Sequence, residues 1–128
     1  MRSLPTGAVI LQVTPALDAG GVEQTTLDVA EAIVAAGGRA LVASAGGRLE
    51  AELERRGGEL ARLPVDTKNP LTAFANVGRL RRVIAAEGVD LVHVRSRAPA
   101  FSAIAAARQA GVPVVTTYHG VYNARSPL

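Results

Sequence analysis

Five short runs of aliphatic and β-branched residues alternate with stretches of helical periodicity, and glycine closes each helical stretch. This alternation constrains the fold most. Strands separated by helices run parallel and reach one another by right-handed crossovers. The runs fall at residues 8–13, 40–43, 60–63, 91–94 and 113–117. Residues 22–36 repeat Val22, Leu27, Ala30, Ile33 and Val34 at helical spacing, and residues 49–56 read as a short charged helix. Residues 71–87 place Phe74, Val77, Leu80 and Ile84 on one helix face, and residues 99–110 read as an alanine-rich helix. Gly37-Gly38, Gly57-Gly58, Gly88 and Gly111 are the stops. The predicted architecture is α/β: a Rossmann-like parallel sheet in the order 3-2-1-4-5, helices on both faces, formed by residues 1–128 as a single domain.

Composition excludes several classes. An apolar fraction of 48% with 20% charged residues is inconsistent with disorder. The absence of cysteine removes disulfide and thiolate-metal chemistry and fits a reducing compartment. No apolar run reaches transmembrane length, and residues 1–7 lack the features of a signal peptide, so the expectation is a soluble cytoplasmic domain. The net charge is +3, carried by thirteen arginines and Lys68. Aromatic residues are only 3% and the arginines are dispersed, which argues against nucleic acid as a partner. A basic surface near anionic lipid or phosphorylated sugars remains open, and so does peripheral contact with the inner face of a membrane.

In a doubly wound sheet, ligands sit at the carboxyl ends of the strands. Three loops reach that edge. The first holds Gly20-Gly21-Val22-Glu23, where two glycines before a helix let a ligand approach the helix's positive end. Glu23 reads equally as a partner of the helix dipole or as an acceptor for sugar hydroxyls. No Gly-x-Gly-x-x-Gly follows the first strand, which disfavours a nicotinamide cofactor. The fourth holds Arg95-Ser96-Arg97, either a clamp for phosphate or carboxylate or a pair of solvated surface arginines. His93, inside the fourth strand, reads as a satisfied core histidine. The fifth carries Tyr118-His119-Gly120, and His119 is placed to exchange hydrogen bonds with a substrate hydroxyl. Serine-hydrolase elbows, phosphate loops and metal-ligand spacings are missing, so no metal or other cofactor is expected.

These residues carry a resemblance. Ile10-Leu11-Gln12-Val13-Thr14 followed by Gly20-Gly21-Val22-Glu23 resembles the start of the family 4 nucleotide-sugar glycosyltransferases of the GT-B fold. Asp90-Leu91-Val92-His93 is similar to that family's fourth strand, and Thr116-Thr117-Tyr118-His119-Gly120 to its fifth strand and the loop bearing the active-site histidine. Arg95-Ser96-Arg97-Ala98-Pro99-Ala100 is similar to bacterial members linked to lipopolysaccharide and other envelope glycans. The resemblance implies retaining, metal-independent transfer of a sugar from a nucleotide-sugar donor to a hydroxyl of a glycan or lipid-linked acceptor. It implies that Gly20, Gly21 and Glu23 face the donor phosphates or sugar, and that His119 is the catalytic contact to the donor sugar. Arg95, Ser96, Arg97 and Tyr118 are assigned to the acceptor side, the arginines on grounds of position at the sheet edge. Many members have His-x-His after the fourth strand, whereas Arg95 takes the second position here.

The family binds its nucleotide mostly through a second, C-terminal Rossmann-like domain with a Glu-x7-Glu motif, which this sequence does not contain. The expectation is therefore a truncated first domain, inactive by itself. An exposed apolar edge beside the fifth strand would favour self-association, and a strict monomer in light scattering is the contrary outcome. Two other readings compete: a stand-alone α/β module that holds a phosphorylated ligand, and a nucleotide-sugar epimerase domain. A flavodoxin-like signalling domain ranks last, because Thr14-Pro15 stands where an acidic pair is needed.

Overall fold

The computed structural model describes residues 7–18 and 20–117. Strands and helices alternate: β1 Val9–Val13, α1 Gly21–Ala35, β2 Arg39–Ser44, α2 Glu50–Arg55, β3 Glu59–Arg62, α3 Pro70–Glu87, β4 Leu91–Val94, α4 Ala100–Ala110 and β5 Val114–Thr116. All neighbouring strands pair in parallel, in the order β3-β2-β1-β4-β5. This is the predicted sheet. Val13 lies opposite both Ala43 and Val94, and Val94 lies opposite Thr116, so the strands end nearly level. β5 is the outer strand, and its Val115 and Thr116 are exposed.

Alternation along the strands divides the core into two layers. Leu11, Val13, Leu41, Ala43, Val92 and Val94 pack on one side against Val77, Leu80 and Ile84 of α3 and Ala103, Ala106 and Ala107 of α4. Ile10, Ala40 and Val42 pack on the other side against Leu27, Ala30 and Ile33 of α1 and Leu53 of α2. Each fully buried leucine or valine side chain contributes roughly 1.5–3 kcal/mol, which makes these layers the main source of stability. Asn69 starts α3 one residue before the predicted boundary. Its side-chain oxygen accepts from the amides of Leu71 at 2.8 Å and Thr72 at 3.4 Å, with Pro70 at the first helical position.

Phe74 departs from its expected place on the buried face of α3: its side chain is 72% exposed. At about 100° per residue, Phe74 sits roughly 60° from Val77 on the side away from Leu80, at the margin of the apolar stripe. Leu71, 81% exposed, and Phe101, 60% exposed, join it on the outer surface of α3 and α4. Phe74 and Phe101 flank a groove of about 380 Å³ that Arg81 and Gln109 also line.

Charge is segregated across the sheet. Six of the eleven carboxylates lie on α1 and α2, which together carry one arginine, Arg55. On the opposite layer, α3 and α4 carry Arg79, Arg81, Arg82 and Arg108 with one carboxylate, Glu87. Arg56, just after α2, bridges Asp28 of α1 at 2.8 Å and Glu52 of α2 at 2.9 Å. At the amino-terminal edge of the sheet, Arg39 pairs with Glu59 at 2.8 Å and Glu87 at 2.7 Å. Such exposed pairs stabilise weakly.

Candidate functional site

The crevice of the sheet lies at the carboxyl ends of β1 and β4, because the crossovers from these neighbours leave in opposite directions. The ladder continues one residue beyond each strand. Thr14 donates its amide to the carbonyl of Ala43 at 3.1 Å, Arg95 to Val13 at 3.0 Å, and Thr117 to Val94 at 2.9 Å. Thr14, Ser44, Arg95 and Thr117 thus form a polar row along the edge where the apolar core ends.

The loop after β1 is braced by the loop after β2. Ala45 donates to the Pro15 carbonyl at 3.0 Å, Leu17 to Gly46 at 3.0 Å, and Leu49 to Leu17 at 2.8 Å. The Arg48 amide adds a bond to the Asp18 carboxylate at 3.3 Å, and Leu17 is fully buried beneath. Nearly all of these contacts are between backbone atoms, so no side-chain pattern announces them in the sequence.

This braced loop delivers Gly20 and Gly21 to the start of α1. Gly20 is the N-cap and supplies no side-chain hydrogen bond. The first helical bond runs from the Gln24 amide to the Gly20 carbonyl at 3.0 Å. Among the described residues, the amides of Gly21, Val22 and Glu23 therefore have no side-chain acceptor, and they lie at the positive end of a helix of 15 residues. Glu23 folds back over Gly20: a Cβ on Gly20 would lie 2.6 Å from Glu23 Oε1. Gly21 has nothing within 4 Å of its missing Cβ, so the backbone there is open to a ligand.

Beneath this helix start runs a hydrogen-bonded chain that links β1, β4 and β5. Gln12 is wholly buried in an otherwise apolar strand, and such a group needs partners. Its Nε2 donates to the Thr26 carbonyl of α1 at 3.1 Å, and its Oε1 accepts from Arg95 at 3.2 Å. The same guanidinium nitrogen of Arg95 faces His93 Nδ1 at 3.4 Å, and His93 Nε2 meets Thr117 Oγ1 at 2.8 Å. Arg95 is 2% exposed, and its Nε is buried without a hydrogen-bond partner. Among the described residues it forms no ion pair, and desolvation pushes its pKa below the usual arginine value. Burial removes the solvated-surface alternative for Arg95. Arg97 is exposed and Ser96 half-buried in the turn that leads to α4.

The structure thus brings Arg95 and His93 together with Gln12 and Thr117, two residues not singled out by sequence. The signal for Gln12 was present: an amide in the middle of a buried strand. Gly20, Gly21 and Glu23 form a separate cluster above, tied to this chain through the Gln12 contact to α1. Tyr118 and His119 lie outside the described residues. Among the described residues no group of three or more potential ligands could hold a metal, and no helix is long and apolar enough to cross a membrane.

Similarity to known proteins bears on this edge. The family model of Glycosyltransferase Family 4 matches residues 19–128. A glycosyltransferase from Rickettsia africae superposes with a TM-score of 0.82 at 38% identity, over 94% of this chain and 32% of that one. The chain therefore spans about a third of that protein's length. MurG from Acinetobacter baumannii superposes with a TM-score of 0.72 at 18% identity, over 92% of this chain and 38% of that one. A putative UDP-N-acetylglucosamine 2-epimerase from Listeria monocytogenes gives 0.59 at 14% identity, over 88% and 31%. The last two likenesses are of fold alone. No curated protein matches the chain significantly.

Proposed function

The chain belongs to Glycosyltransferase Family 4, and from that premise we propose that it forms part of the N-terminal, acceptor-side domain of a cytoplasmic, retaining sugar transferase. The donor is a nucleotide sugar and the acceptor a glycan or lipid-linked hydroxyl, as in enzymes of envelope and lipopolysaccharide synthesis. A C-terminal domain completes the donor site, and the N-terminal part alone gives no turnover. In this reading Gly20, Gly21 and Glu23 meet the donor phosphates or sugar, His119 acts at the donor sugar, and Ser96, Arg97 and Tyr118 face the acceptor; Arg95, expected on the acceptor side, is left out because its side chain is buried. No metal or other cofactor takes part.

The observation that carries the reading is the open start of α1, set by a braced loop at the crevice of the sheet. Glycine is the weakest ordinary residue in a helix, by up to about 1 kcal/mol against alanine. Gly21 sits in the helix with free space around its missing Cβ, so packing does not require it. A glycine at that position fits a ligand that must come close to the backbone. The epimerase reading rests on likeness of fold alone.

Gly21→Ala separates the two roles. The variant is expected to fold about as stably as the parent, since Gly21 is the first residue of α1, where glycine costs less than in a helix interior. It should bind nucleotide sugars at least tenfold more weakly, about 1.4 kcal/mol, by amide shifts of Gly20 and Glu23 during titration. With the C-terminal domain present, so that the donor site is complete, unchanged affinity in the folded variant, or no shift in the parent with any nucleotide diphosphate sugar, would sink the donor assignment. A parent that responds to inorganic phosphate alone would favour the binding module.

The outer surface of α3 and α4 supports peripheral contact with an anionic membrane. Leu71, Phe74 and Phe101 stand exposed there beside Arg81, on a layer with one carboxylate. The chain is expected to sediment with phosphatidylglycerol vesicles and to lose that binding when Leu71, Phe74 and Phe101 are changed to serine. Failure to sediment with anionic vesicles at low salt contradicts this.

A further inference from the structure

We propose that Arg95 is a positioning residue: its buried guanidinium fixes which ring nitrogen of His93 carries the proton, and so holds Thr117 at the end of β5. A guanidinium has only donors. Whatever it faces must present a lone pair. Gln12 satisfies this with Oε1 turned toward Arg95 at 3.2 Å, which leaves its Nε2 to donate to the Thr26 carbonyl at 3.1 Å. On the other side, His93 presents Nδ1 to Arg95 at 3.4 Å. That nitrogen must be unprotonated, so a neutral ring carries its proton on Nε2 and donates it to Thr117 Oγ1 at 2.8 Å. The Thr117 hydroxyl proton is consequently directed elsewhere than the ring.

The cation is suited to this because it is buried, without an ion pair among the described residues, and cannot deprotonate to become an acceptor. A neutral amide or hydroxyl in its place could reverse its role, and the ring could then take either tautomer. Thr117 directly follows β5 and is the last described residue. Arg95 therefore acts on the end of β5 through His93 and Thr117 rather than by touching a ligand. This inference goes beyond the transferase reading and does not depend on whether the chain binds a nucleotide sugar.

Long-range proton–nitrogen correlation spectra of the full chain read the tautomer directly. The chain has two histidines, so His119→Gln assigns the His93 ring. The parent is expected to show His93 as the Nε2–H tautomer at neutral pH. Thr117→Val should keep that tautomer, because the constraint comes from the Arg95 side. Arg95→Met should convert the ring to a mixture of tautomers. An Nδ1–H or doubly protonated ring in the parent would overturn the proposal. So would a switch to Nδ1–H in Thr117→Val, or a folded Arg95→Met that still shows Nε2–H alone. Should Arg95→Met fail to fold, the parent and Thr117→Val spectra still decide.

Discussion

Leu11→Ala is expected to lower the free energy of unfolding by about 3–5 kcal/mol. Leu11 lies in the central strand, fully buried, opposite Leu41 on one neighbour and Val92 on the other. It points into the layer formed with α3 and α4, whose Leu80 and Ile84 close the same cluster. A cavity there is bounded by paired strands and cannot collapse easily, which places the loss in the upper part of the range for such truncations. A domain of this size holds only about 5–15 kcal/mol in total. Urea unfolding should show a large fall in midpoint with little change in slope. Val115→Ala, on the exposed outer strand, should change stability by less than about 0.5 kcal/mol. A loss below about 1 kcal/mol for Leu11→Ala would mean that this layer is not the core.

Gly47→Ala should cost about 2–3 kcal/mol and disturb the backbone at Gly20 and Gly21, the proposed donor contact, although Gly47 belongs to another loop. A Cβ at Gly47 would lie 2.5 Å from the Leu17 carbonyl oxygen and 2.6 Å from Asp18 Oδ1. The nearer obstacle is backbone, which cannot rotate away as a side chain can. That carbonyl also accepts the Leu49 amide at 2.8 Å, so relieving the clash breaks a bond that braces the loop after β1. Urea unfolding and the nucleotide-sugar titration, applied together, read both effects. A Gly47→Ala variant with parental stability and parental amide shifts at Gly20 would show that the two loops are not mechanically joined. Gly21→Ala differs: packing requires glycine at Gly47, whereas a Cβ at Gly21 meets nothing within 4 Å.

The sheet was legible because its information is local. Short aliphatic runs, helical spacing and glycine stops lie within a few residues of each other, and hydrophobic periodicity resolves them. Asn69 shifted a boundary by one residue only. The edge of the sheet was less legible, for three physical reasons. Arg95 sits beside Ser96 and Arg97 in a short connection, where charge ordinarily means solvent, and its partner Gln12 is 83 residues away. The brace around Leu17 consists mostly of backbone bonds, which any side chains would permit. Phe74 falls at the rim of the apolar stripe, where periodicity cannot distinguish the last buried position from the first exposed one. Gly20 and Gly21 were readable as the entry to α1, because a glycine pair just before a stretch of helical periodicity marks such a turn.

The separation of charge between the α1/α2 and α3/α4 layers gives the molecule an electric moment directed across its sheet. Any negatively charged surface therefore exerts a torque on it at a distance, and turns the arginine-bearing layer forward before any atoms touch. Such a torque acts over roughly 10 Å at 0.1 M salt. Salt should accordingly slow arrival more than it speeds departure, since apolar side chains, once seated, are held by forces that ions scarcely screen.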